Sequence, residues 1–228
     1  LRWNEFVERH ENGWWFHREE WIDYALAYTP GSVDDSHGIV AVSGSEACLM
    51  AIWPSVVKDG VQVNGGQPAC PLLVVDGLTT SLIDLKFAPV GEYAAWRPGE
   101  EVPPGWEALP AGLRHAQRAT RVVDIHADIN GLWRDVRRSY RNLITQASNK
   151  FDIIAVSEAT DRCVIDGFIA DARSVHLVVA GRETRPESTW LRQRDWIVNG
   201  HGLLASAYAG GRMRAFAYAI CWKDWAYY

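Results

Sequence analysis

Two groups of arginines in this chain have the type and spacing to hold an anion. The first is Arg134, Arg137, Arg138 and Arg141, four guanidiniums within eight positions. A guanidinium presents forked donors that match phosphate and carboxylate. The cluster therefore reads as a grip for RNA phosphates or for the pyrophosphate of a lipid-linked or nucleotide-linked ligand. It reads equally as a solvated face paired with acidic neighbours such as Asp135. The second group, Arg182 and Arg185, stands just before Pro186, where a helix is expected to begin. Beside a helix N-terminus two guanidiniums can bind a phosphate or carboxylate, or they can face Glu183 and Glu187. Trp190 follows on that helix, as core or as groove wall, and Trp196 reads as core. His176 is the catalytic candidate, because imidazole titrates near neutrality and can act as a general base. A core-edge histidine holding a backbone carbonyl is the plainer alternative. Asp152, Glu158, Asp166, Asp195 and Asp224 are further candidates that the sequence does not rank. Asp124, His126 and Asp128 alternate on a strand and so share a face. Strand ends before helices commonly carry Asp and Asn as caps, however, and no fourth ligand is suggested, so no metal is expected.

These residues need elements to position them. Leu132, Val136, Tyr140, Leu143, Ile144 and Ala147 recur at spacings of three and four, which predicts one amphipathic helix from Gly131 to Asn149. Asn130 is its expected N-cap, Asn149 its stop, and Tyr140 is expected to pack. A strand over 151–157 leads to a helix over 162–180, capped by Thr160 or Asp161, and then to a helix over 186–199 that Gly200 and Gly202 end. Residues 203–208 and 213–222, joined by Gly210-Gly211, read as a hairpin, with the last residues continuing its second strand or opening a third. The first half reads as helices over 3–10 and 16–28, then strands over 38–42 and 46–57. After these come loop material to Pro71, a short strand over 72–75, a weak strand over 82–88, and a proline-rich linker over 96–112. A strand over 121–126 precedes the basic helix.

The chain has 228 residues, enough for one large domain or two small ones. A net charge of −5 excludes bulk attraction to nucleic acid or anionic membrane, so any polyanion contact has to be local. No DNA partner is expected. No run of 18 apolar residues occurs, so no membrane span is expected. Cys48, Cys70, Cys163 and Cys221 form no CxxC pair and read as free thiols of a reducing cytoplasm. Twelve tryptophans suit both a core and a groove for a polar ligand.

Leu132-Trp133, Arg137 to Arg141, Ile144 and Phe151-Asp152-Ile153-Ile154 resemble the segment that opens the second half of Fem-like acyltransferases, a group within the GNAT superfamily. His176, Ala180-Gly181-Arg182, Thr184-Arg185-Pro186, Thr189-Trp190 and Gln193 resemble the segment after the first helix of that half. Phe16 to Trp21 and the loop over 64–71 are similar to N-terminal features of the same group. The resemblance implies an α/β (mixed α+β) GNAT-like fold in two halves, each a mixed sheet flanked by helices. These would be residues 1–128 and residues 129–228, the latter comprising the basic helix and the start of an incomplete second half.

It further implies transfer of an acetyl or aminoacyl group to an amine, with acyl-CoA or aminoacyl-tRNA as donor substrate and no tightly bound cofactor or metal. The acceptor would be an amine of a cell-envelope precursor, sugar or peptide. Arg138, Arg141, Arg182, Arg185 and Trp190 would line the binding groove, with His176 as the weakest assignment, that of base. The glycine-containing pyrophosphate loop of CoA-using relatives is not found. Arg182 to Arg185 lacks the glycines, and Ala209 to Arg212 is a hairpin turn. The donor site of the second half is expected to be missing or to lie beyond Tyr228. The rival expectations are a non-catalytic anion-binding or RNA-binding module, with tRNA as a partner, and an inactive half completed by another chain, as in a homodimer.

Overall fold

The computed structural model describes residues 2–43, 46–63, 73–74 and 128–228. It is a mixed α and β structure that divides into two compact units, Leu1–Thr120 and Arg121–Tyr228. The strands expected over 82–88 and 121–126, the linker over 96–112, and Cys70, Asp124 and His126 all lie outside the described residues.

The first unit opens with α1 (Trp3–Arg9), a single 3-10 turn at Trp15–His17, and α2 (Glu19–Tyr28). The sequence predicted one helix over 16–28, and the 3-10 turn splits it. Arg18 takes extended backbone there, and its side chain is buried between Glu8 (2.9 Å) and Glu20 (2.7 Å). A buried cation needs such partners, and α2 starts where the chain has turned to supply them. Trp3 Nε1 donates to the His17 carbonyl oxygen (2.6 Å), tying α1 to the turn. Phe16 meets Trp21 edge-on and Trp21 stacks on Tyr24, so aromatic residues carry much of this core. Strands β1 (Val33–Asp34), β4 (Val56–Lys58) and β5 (Val61–Gln62) form one small antiparallel sheet. Strands β2 (His37–Ser43), β3 (Glu46–Trp53) and β6 (Leu73–Val74) form another.

The second unit begins with a correction. The single helix predicted from Gly131 to Asn149 is two helices, α3 (Ile129–Asp135) and α4 (Arg138–Lys150). Val136 and Arg137 between them are extended, with ψ of 130° and 140°. Val136 is β-branched and suits that backbone. The three-and-four spacing runs straight across the break, which is why periodicity missed it. Asp128, rather than Asn130, is the N-cap, accepting from the backbone N–H groups of Asn130 (2.8 Å) and Gly131 (3.0 Å). The expected packing of the apolar stripe is formed only in part, with Leu132, Val136 and Ala147 half-buried. Tyr140, Leu143 and Ile144 are 56%, 58% and 43% exposed, and among the described elements α4's main contact is with the strand that follows it.

That strand is β7 (Asp152–Val156), followed by α5 (Arg162–Ala180), α6 (Glu187–Val198), β8 (Gly202–Ala209), β9 (Arg212–Trp222) and a third strand of the meander, β10 (Trp225–Tyr227). The sheet order is β10-β9-β8-β7. Each pairing is antiparallel, so the mixed sheet is not seen among the described residues. Gly210 and Gly211, with φ of 59° and 68°, close the β8–β9 hairpin in a conformation that costs other residues strain. One sheet face packs under α5 and α6 through Val156, Leu204, Ser206, Phe216 and Tyr218, against Ile165, Ile169, Ala172, Trp190 and Ile197. Alternation puts Ala155, Ala205, Ala207, Ala215, Ala217 and Ala219 on the other face, with Ile153 and Leu203.

Candidate functional site

The core stripe of α5 runs Ile165, Ile169, Ala172 and then His176, at helical spacing. His176 is thus the last residue of an apolar row, held half-buried where the row meets the α5–α6 connection. Gly181 ends α5 in the left-handed conformation (φ 69°) and its N–H returns to the Leu177 carbonyl (2.9 Å). The chain then doubles back through Arg182–Pro186 into α6. Arg173 of α5 clamps this return with bonds of 2.9 Å to both Glu183 and Glu187. Thr189 Oγ1 donates to the Pro186 carbonyl oxygen (2.7 Å) and fixes the first turn of α6.

Between α5, the connection and α6 lies an open cleft of about 320 Å³. Its chemistry comes from Arg173, His176, Glu183, Thr184, Arg185 and Trp190, with Ala170, Ser174 and Leu177 completing the wall. Trp190 is 2% exposed and organises the site. The Arg185 guanidinium carbon lies 3.5 Å from the indole centroid. At that separation only a flat stack fits, so the ring occupies one face of the guanidinium and leaves its edge of N–H donors directed sideways. The His176 ring meets the same indole edge-on at 5.5 Å. His176 Nε2 and Thr184 Oγ1 are 2.6 Å apart, a short hydrogen bond. Burial and then the Arg185 charge push the His176 pKa below its ordinary value. The imidazole is therefore neutral at pH 7, with Nε2 able to accept from the Thr184 hydroxyl.

The sequence-derived residues separate in space. His176, Arg185 and Trp190 come together. Arg182 is exposed on the connection and does not line the cleft. Arg138 and Arg141 lie on α4, also outside it. Among the described residues no ion pair holds Arg134, Arg137, Arg138 or Arg141. Asp166 and Asp195 pair with Arg194 (3.6 and 2.7 Å), and neither these nor Asp152, Glu158 and Asp224 line the cleft. Thr184 and Arg173, which sequence reasoning did not mark as site residues, are the two that set the geometry. Their partners lie eight and ten positions away across a helix end, a separation with no periodic signature. Trp196 is buried, as expected. Gln193 on α6 is buried with its Oε1 lacking a hydrogen-bond partner among the described residues.

Cys48, Cys163 and Cys221 are free thiols. Among the described residues no group of three His, Cys, Asp or Glu side chains is placed to hold a metal, and no helix is long and apolar enough to cross a membrane. Comparison of the chain with protein-family models, with curated proteins and with solved structures finds no match.

Proposed function

We propose that the chain is an N-acyltransferase of GNAT-like build, and that the acceptor amine sits in the α5–α6 cleft. The observation that carries this reading is the meeting of a neutral, half-buried imidazole with a threonine hydroxyl beside a cation-capped indole. The order β7, α5, α6, β8, β9, β10, with the sheet running in chain order, supports the GNAT-like half that the Fem resemblance implies. The donor is an activated acyl or aminoacyl ester, acyl-CoA or aminoacyl-tRNA, and the acceptor belongs to a cell-envelope precursor, sugar or peptide. The amine attacks the donor carbonyl, and its proton passes through the Thr184 hydroxyl to His176 Nε2. As the tetrahedral adduct collapses, the C–S bond of acyl-CoA or the C–O ester bond of aminoacyl-tRNA breaks, the departing thiolate or ribose oxygen taking up a proton to leave as thiol or hydroxyl. A positioned base of this kind contributes about 10²–10⁴-fold to rate. Full-length protein mixed with acetyl-CoA or aminoacyl-tRNA and a panel of amines should yield acylated amine by mass spectrometry. His176→Ala should slow it by that factor. Absence of transfer from both donors overturns the proposal.

A second reading rests on α3 and α4. Their arginines, three exposed and Arg141 half-buried, offer an anion surface without ion-paired partners among the described residues. An RNA-binding module predicts that log affinity falls steeply with log salt, and that Arg138→Ala and Arg141→Ala each remove about 0.7–0.9 from the slope. Flat salt dependence sinks it.

A further inference from the structure

The cleft also constrains what kind of amine it takes. Arg173, the other cation of the lining, is neutralised by Glu183 and Glu187, so its charge is committed to holding the connection in place. Arg185 lines the cleft with one face of its guanidinium covered by the indole and its Nε screened from solvent, so a ligand would meet the edge that carries its Nη groups. Holding a guanidinium flat on a tryptophan fixes the plane of that edge, which suits bidentate capture of a planar oxyanion. His176 lies against the same indole, so the guanidinium carbon and the imidazole centroid are separated by less than the sum of 3.5 and 5.5 Å. With hydrogen bonds of about 3 Å at each end, that ceiling leaves at most a few covalent bonds between anion and nitrogen.

We propose that the cleft binds an amine carrying a carboxylate a few bonds away, the amino-acid end of a free amino acid or peptide, with the carboxylate on Arg185 and the nitrogen facing Thr184 and His176. Carboxylate is favoured over phosphate by shape, since a planar fork meets a planar acceptor and one guanidinium supplies only one charge. This rests on the reading of the cleft as an acceptor site, but not on acyl transfer having occurred.

The test is isothermal titration calorimetry of the full chain, without donor, using amino acids and dipeptides, their carboxamides, and phosphoethanolamine as probes. The carboxylates should bind, the carboxamides should bind at least tenfold more weakly, and phosphoethanolamine should bind more weakly than the best carboxylate. Arg185→Gln should remove the preference for carboxylate over carboxamide, while Arg185→Lys, which keeps the charge and loses the fork, should retain only part of it. Circular dichroism checks that both variants fold. Equal binding of carboxylate and carboxamide overturns the inference, as does stronger binding of phosphoethanolamine. The two proposals fail separately. Acylation of amines that carry no carboxylate leaves acyl transfer standing without this inference. Carboxylate binding that depends on Arg185, with no turnover from either donor, leaves this inference standing alone.

Discussion

At the scale of single residues, His176 is the group whose state sets the chemistry. Its pKa is depressed, chiefly by burial and next by Arg185. The rate should therefore be flat at neutral pH and fall only below the ordinary imidazole range of about 6.5. Arg185→Gln removes the neighbouring charge, so the acid limb of kcat/KM should move to higher pH; an unmoved limb would show that Arg185 does not act on the base. The same depression links to stability. The unfolded chain takes up a proton that folded His176 resists, so this contribution is whole above about pH 6.5 and is lost as pH falls toward the depressed value. The acid side of the stability profile should flatten in His176→Gln.

Tyr208 shows the opposite case. Burial and its bond to Asp171 (2.7 Å) push its pKa up to about 12. An ultraviolet titration should show a late tyrosine that ionises earlier in Asp171→Asn. His176, Arg185 and Trp190 were legible in the sequence by residue type. The choice of Arg185 over Arg182 was not, because which of two arginines turns inward is decided by the left-handed exit at Gly181 and the clamp from Arg173.

At the scale of elements, the helices over 162–180 and 187–198 were readable because each keeps an unbroken stripe beside a recognisable end signal: Asp161 before the first, and Pro186 before and Gly200 after the second. The α3–α4 break was unreadable because neither glycine nor proline marks it. Two substitutions test the packing between α6 and the sheet. A Cβ at Gly202 would collide with the Tyr218 hydroxyl and lie 2.9 Å from the Ile197 nitrogen. Gly202→Ala should cost about 1–3 kcal/mol in chemical denaturation, since it also disturbs the bond from Tyr218 to the Gln193 carbonyl oxygen (2.9 Å). Gln193→Leu removes a buried oxygen that has no partner among the described residues and should be neutral or stabilising by about 1 kcal/mol. A clear loss of stability there would mean that the oxygen is bridged by water.

At the scale of the whole molecule, the acidic balance and the basic surface pull in opposite directions. The chain carries −5 overall, so at pH 7 it should be retained by an anion exchanger. If α3 and α4 form a polyanion surface, retention on heparin at low salt should weaken in Arg138→Ala with Arg141→Ala. Each of the two units was expected to repeat the other. Among the described residues the first builds two three-stranded sheets and the second one sheet of four strands. The shared indole of the cleft has a magnetic consequence. Protons over the face of an aromatic ring are shielded by its ring current, and Arg185 sits over Trp190 with its Nε screened from solvent. Its Nε–H should therefore exchange slowly and resonate upfield of the other arginines, and a ligand that draws the guanidinium off the ring would return it to the crowd.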